Sequence, residues 1–126
     1  MSLENIVIIG IGAFLGANAR YLLSTWVAQK WGAAFPYGTL LINVSGSLVL
    51  GVFLAATTGR LAVDPRWRLV FAVGFLGAYT TFSTYTYESL QLLLTGNWPL
   101  GLLNIVGSNI LGLTAALAGI WLGRHL

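Results

Sequence analysis

Three sets of polar residues interrupt an otherwise apolar chain. Thr39, Asn43, Ser47 and Gly51 recur every four residues, as do Asn104, Ser108 and Gly112, with Asn109 and Thr114 beside the latter. The third set is the run Gly74-Phe75-Leu76-Gly77-Ala78-Tyr79-Thr80-Thr81-Phe82-Ser83-Thr84-Tyr85-Thr86. Residues four apart share one helix face, so each repeat makes a stripe of hydroxyl and amide groups. Such a stripe either lines a wet path or joins helices by hydrogen bonds. Helix joining is the simpler reading for Thr39 and Ser47. The Asn43 amide has N–H groups that can donate to an anion, which favours a functional role. For Asn104 and Ser108 both readings stand.

In the third run a glycine precedes hydroxyl-bearing residues that include β-branched threonines, a composition that favours a local helix break. Free carbonyls at a break can hold a cation, and the N-terminus of the following half-helix attracts an anion. The alternative is a kinked helix whose hydroxyls bond back to its own carbonyls. Phe82 and Tyr85, three apart, share a face, and their electropositive ring edges can either solvate a small anion or simply pack.

No catalytic constellation accompanies these groups. The single histidine, His125, is next to the C-terminus, there is no cysteine, and no two carboxylates are close in sequence. The glycines near residue 10 lack the strand and lysine of a phosphate loop. The chain does not read as an enzyme.

The elements that carry these residues follow from composition. Of 126 residues, 57% are hydrophobic and 7% charged, against roughly 25% charged in soluble domains. Six basic and three acidic side chains give a net charge of +3, too few to cover a soluble surface. Mean hydropathy of +0.84 agrees. The pI of 9.7 reflects few, scattered basic residues and not a nucleic-acid-binding patch.

A membrane-crossing helix needs about 20 apolar residues. Four stretches qualify, at about 5–28, 37–59, 67–94 and 99–123, and together they define one four-helix transmembrane domain over residues 1–126. Pro36, Pro65 and Pro99 sit at or just before span starts, and Trp31, Trp67, Trp98 and Trp121 near span ends. The third span, about 42 Å long if fully helical, exceeds what a bilayer needs, and its suspected break near residue 80 falls at mid-depth. Unwound backbone there must be buried in protein or line a cavity.

Small residues spaced by four, at Gly12/Gly16, Ala13/Ala17 and Ala115/Gly119/Gly123, suit close helix contact. Four helices are too few to pack a core and surround a solvated path, so oligomerisation is expected. Arg60, Arg66, Arg68 and Arg124 fall on the side of the termini, with Lys30 and Arg20 on the other. This bias favours cytoplasmic termini but is small enough to suit insertion both ways. Arg20, about 12 Å inside the first span, can snorkel or face an aqueous vestibule and attract anions. Glu88, about two turns from the end of the third span, reads as snorkelling or structurally bonded.

Three segments, Gly12–Tyr21, Gly38–Ser47 and Gly74–Ser83 with its Thr-Thr-Phe-Ser core, occur in an order that resembles the Fluc (CrcB) fluoride channels. The resemblance spans essentially the whole chain. It implies an all-α membrane protein whose third helix is broken near mid-membrane, assembled as an antiparallel, dual-topology homodimer. It further implies two pores built from both subunits, passive flow selective for fluoride over chloride, and export that relieves fluoride toxicity. The location implied is the plasma membrane, the inner membrane in a Gram-negative cell.

By the same resemblance, Asn43 faces the fluoride path and Phe82 is the first ring of an aromatic box. Tyr85 stands where the family usually has a second phenylalanine, and its phenol hydroxyl can bond the ion or occupy its space. Ser83 and Thr84 match hydroxyls beside the box, Arg20 matches the arginine near the vestibule, and Ser108 fits a polar track; Thr39 and Asn104 join the candidate fluoride path by their four-residue spacing and not by the resemblance. Gly77 and Thr80 match positions whose carbonyls, two from each subunit, hold a central structural sodium ion. The expected partners are a second copy of the chain, the lipid bilayer and fluoride, without nucleic acid.

Two other functions compete. A small multidrug-resistance-type proton-coupled exporter shares four spans and dual topology but needs an acidic residue in the first span, where only Glu4 is available, at the edge. An accessory subunit without transport would use its polar stripes as glue throughout.

Overall fold

Helix ends are set by local chemistry. The Ser2 hydroxyl accepts the Asn5 N–H at 3.2 Å and opens α1, Leu3–Trp31, which ends at Gly32 in the positive-φ region (78°) open to glycine. Helix α2, Tyr37–Thr58, follows Pro36 and stops at Gly59. Asp64 caps the next turn, α3 (Pro65–Trp67), by accepting the Arg66 N–H at 2.9 Å, with Pro65 at the first helical position.

The chain then widens into a π-helical stretch, π1, Arg68–Leu76, before one tighter turn, α4, Gly77–Tyr79. Thr80 and Thr81 are extended (ψ 157° and 117°), and α5, Phe82–Leu94, resumes beyond them. After Gly96 (φ 86°), α6 runs from Trp98 to Arg124 with Pro99 in its first turn. The structure is a computed structural model that describes residues 1–126, all helix and connecting turns.

Helices α1, α2 and α6 are each long and apolar enough to cross a membrane. Helix α1 extends past its apolar run, continuing through Gln29-Lys30-Trp31. Only 17 of 126 residues are buried, and Phe14, Leu113 and Phe82 are 70%, 73% and 76% exposed. The chain does not hide its apolar surface within itself; lipid or another protein surface must cover it.

Packing is close where side chains are absent. A Cβ at Gly12 or Gly16 would overlap the carbonyl of Val70 or Phe75 in π1, and one at Gly119 or Gly123 would overlap the carbonyl of Leu48 or Val52 in α2. The small residues thus bring α1 onto π1 and α6 onto α2, the most extensive pairing in the chain. Phe53, Phe71, Phe75 and Tyr79 form an aromatic ladder with centroid separations of 4.9, 5.6 and 5.9 Å. It runs along π1 to the Tyr79 hydroxyl, which shares a 2.9 Å hydrogen bond with Ser45 of α2. At one end of the bundle, Arg66 pairs with Glu4 at 3.0 Å, and Arg68 donates to Thr58 Oγ1 at 2.8 Å.

Candidate functional site

The interruption after α4 is held by side chains that take over backbone hydrogen bonds. Leu76 carbonyl accepts both the Thr80 N–H (3.0 Å) and the Thr80 hydroxyl (2.9 Å). In a continuous helix the Thr81 N–H would donate to the Gly77 carbonyl. Instead it donates to Asn43 Oδ1 at 2.8 Å, while Asn43 Nδ2 donates to the Thr81 carbonyl at 2.9 Å. The Thr84 N–H, which would otherwise reach the Thr80 carbonyl, donates to Thr81 Oγ1 at 3.2 Å and caps α5. The carbonyls of Gly77 and Thr80 therefore lose their helical partners. The orientation of the Asn43 amide is fixed by its partners, because Thr81 N–H can only donate and Thr81 C=O can only accept. One of the two Asn43 N–H groups has no partner within the chain.

Around this interruption lies a cleft of about 320 Å³ between α2, π1, α4, α5 and α6. Among the expected site residues, Asn43, Gly77, Thr80, Phe82, Tyr85 and Ser108 line it. Ser47, Thr81, Asn109 and Gly112 complete its polar side, and no Asp, Glu, Lys, Arg or His is present. The Phe82 ring lies 5.7 Å from that of Tyr85 at a 47° tilt. Tyr85 hydroxyl receives a 2.8 Å hydrogen bond from Asn109 Nδ2 and donates over 3.3 Å to the Ile105 carbonyl.

The other expected residues lie outside the cleft lining. Ser83 is exposed, and Thr84 Oγ1 accepts the Thr81 hydroxyl at 3.0 Å. Asn104 is 1% exposed and joins α6 to α5: its Nδ2 donates to Ser89 Oγ at 2.8 Å, and its Oδ1 accepts from Ser108 Oγ at 3.1 Å. Thr39, also buried, donates to Glu88 Oε1 at 3.0 Å beside a second cavity toward the Lys30 end, lined also by Phe35, Tyr87 and Gln91. Arg20, part-exposed on α1, makes no hydrogen bond or ion pair within the chain and does not line the cleft.

Thr81, which no spacing pattern singles out, lines the cleft and holds the interruption together. A threonine directly before a helical run is an N-cap signal, but its second role needs a partner 38 residues away. Asn109, one position off the four-residue stripe of Asn104 and Ser108, lines the cleft beside Ser108.

Residues 7–120 match the family described as "CrcB-like protein, Camphor Resistance (CrcB)". A protein of Koribacter versatilis named "Fluoride-specific ion channel FluC" is 51% identical over 126 residues, covering all of both chains. Proteins of the same name from Chloroflexus aurantiacus and a Sulfurihydrogenibium species are 45% and 43% identical, each covering at least 97% of both chains. These relatives bear the name of an ion channel and not of an enzyme. A multi-pass membrane chain whose relatives match it from end to end belongs to the CrcB family.

Proposed function

We propose that this protein is a passive, fluoride-selective ion channel of the plasma membrane that exports fluoride and relieves its toxicity. One observation carries the reading: the polar side of the cleft at the interrupted element is made of two amides, hydroxyls and aromatic rings, without Asp, Glu, Lys, Arg or His. Fluoride is small and strongly hydrated, so a pore must replace its water with donors. The free Asn43 N–H is such a donor, and the rings of Phe82 and Tyr85 offer electropositive edges. A fixed positive charge would hold the ion too tightly for passage, whereas neutral donors bind weakly enough to release it. The name shared by the full-length relatives supports the same ion.

The working unit in this reading is a dual-topology, antiparallel homodimer of four-helix transmembrane domains, with the third span broken near mid-membrane. Each dimer has two pores. The unpartnered carbonyls of Gly77 and Thr80 fit a hard monovalent cation, but two oxygens from one chain are too few to enclose it. A twofold axis in the membrane plane would supply two more, and the structural sodium ion would then tie the subunits together. Arg20, Thr39, Ser83, Thr84 and Asn104 belong to the approaches and supports of the path, whereas Asn43, Phe82, Tyr85 and Ser108 face the ion.

A proton-coupled exporter draws no support from Glu4, which is exposed and paired with Arg66 at the start of α1. The test is efflux from proteoliposomes with a potassium ionophore to carry the compensating charge and no proton gradient: fluoride should leave rapidly, and silence toward both fluoride and chloride would contradict the reading.

A further inference from the structure

Tyr85 and Asn109 form a donor arrangement that a phenylalanine at position 85 cannot make. Asn109 Nδ2 lies 2.7 Å from the Ile105 carbonyl and 2.8 Å from the Tyr85 hydroxyl oxygen. Because the carbonyl can only accept, the amide nitrogen must face it, and both Asn109 N–H groups are consumed. Asn109 therefore has no proton left for an anion, although it lines the cleft. It acts through Tyr85, by fixing the hydroxyl oxygen and donating into it.

The phenol proton is differently placed. Its only acceptor within the chain is the same Ile105 carbonyl, at 3.3 Å. That is longer than the roughly 2.5–3.0 Å of an ordinary O–H···O hydrogen bond, and the carbonyl is already served at 2.7 Å by Asn109. The proton thus has a poor partner, while the oxygen accepts a good one, which polarises the O–H group further. An anion in the cleft is a stronger acceptor than the carbonyl.

We propose that Tyr85 donates its hydroxyl proton to the permeating anion and that Asn109 is the positioning residue that holds the hydroxyl for this purpose. The proposal rests on the fluoride-channel reading given above. At this position the chain uses a hydrogen bond in addition to a ring edge, and the donor also separates anions: the gain is largest for a small, hard acceptor such as fluoride and smaller for chloride.

The test is a double-mutant cycle on the full-length protein in proteoliposomes, with fluoride and chloride efflux measured separately. Tyr85→Phe is nearly isosteric and removes only the hydroxyl. It should lower fluoride flux about tenfold, the scale of one lost hydrogen bond to a charged group. Asn109→Leu, close in shape but without N–H groups, should lower it severalfold, and Asn109→Gln, which keeps the amide donor, should recover part of the loss. Combined with Tyr85→Phe, Asn109→Leu should add no further loss. Full fluoride flux in Tyr85→Phe would overturn the proposal. So would an Asn109→Leu loss of equal size with and without the tyrosine hydroxyl, because Asn109 would then act through packing. Absence of fluoride flux in the unmodified protein would instead overturn the channel reading itself.

Discussion

Asn43 and Thr81 exchange two hydrogen bonds across 38 residues of sequence, at 2.8 and 2.9 Å, so one side-chain amide pairs with both backbone groups of a single residue. This pairing replaces what the helix gives up at Thr80–Thr81 and leaves one Asn43 N–H beside the cleft. The asparagine therefore has two roles, as a structural substitute for a turn of helix and as a proposed donor to the ion.

The two roles separate by substitution. Asn43→Ala leaves Thr81 N–H and C=O without partners and should cost about 2 kcal/mol of stability. It should weaken fluoride flux while the proposed dimer persists in detergent. Asn43→Asp keeps the acceptor for Thr81 N–H but removes both donors and adds negative charge, so it should pass less fluoride than Asn43→Ala despite keeping half of the pairing. Thermal unfolding and efflux, measured on the same samples, check both. Unchanged flux in Asn43→Ala would remove Asn43 from the path.

Thr81 should matter through its hydroxyl as an N-cap. Thr81→Val preserves shape but abolishes acceptance from Thr84 N–H, at a cost of about 1 kcal/mol. Thr81→Ser should retain most of the stability. A melting temperature for Thr81→Val equal to that of the unmodified protein would show that the cap contributes nothing.

Gly77 has room within one chain, since an added Cβ meets nothing nearer than the Ala72 carbonyl at 3.7 Å. Gly77→Leu should therefore leave helix content intact by circular dichroism. It should nevertheless break the dimer on size exclusion if a second chain's carbonyls approach the same point. The proposed dimer of the unmodified protein should dissociate more readily when sodium is replaced by a large organic cation. An intact, sodium-independent Gly77→Leu dimer would count against the cation site.

Gly119 gives the opposite case. A side chain there collides with the Leu48 carbonyl inside the same chain, with no flexible neighbour to yield. Gly119→Leu should lose folded protein altogether, beyond the 1–3 kcal/mol or so of ordinary overpacking. Recovery of a normal, stable dimer would contradict the α2–α6 packing described above.

These residues also show what the sequence could reveal. The apolar runs of α1, α2 and α6 were legible because lipid-compatible length and composition are one-dimensional properties. The stripes were partly legible: periodicity placed Asn43 and Ser108 on helix faces that reach the cleft, and it placed Asn104 and Thr39 equally well, yet these are turned into contacts with Ser89 and Glu88. Spacing does not say which neighbour a stripe meets. The widened turns of Arg68–Leu76 had no signal in the residue pattern, because a π-helical stretch arises from which carbonyl each N–H selects. The part taken by Thr81 was hidden for the same reason, its N–H being claimed from another helix.

Passive, fluoride-selective conduction is tested by fluoride release from proteoliposomes recorded with a fluoride electrode. With a potassium gradient and a potassium ionophore to carry the compensating charge, and no pH gradient, fluoride should leave rapidly. It should stop when the ionophore is withheld, and chloride should stay inside. Release that requires a proton gradient, or chloride efflux as fast as that of fluoride, would contradict it.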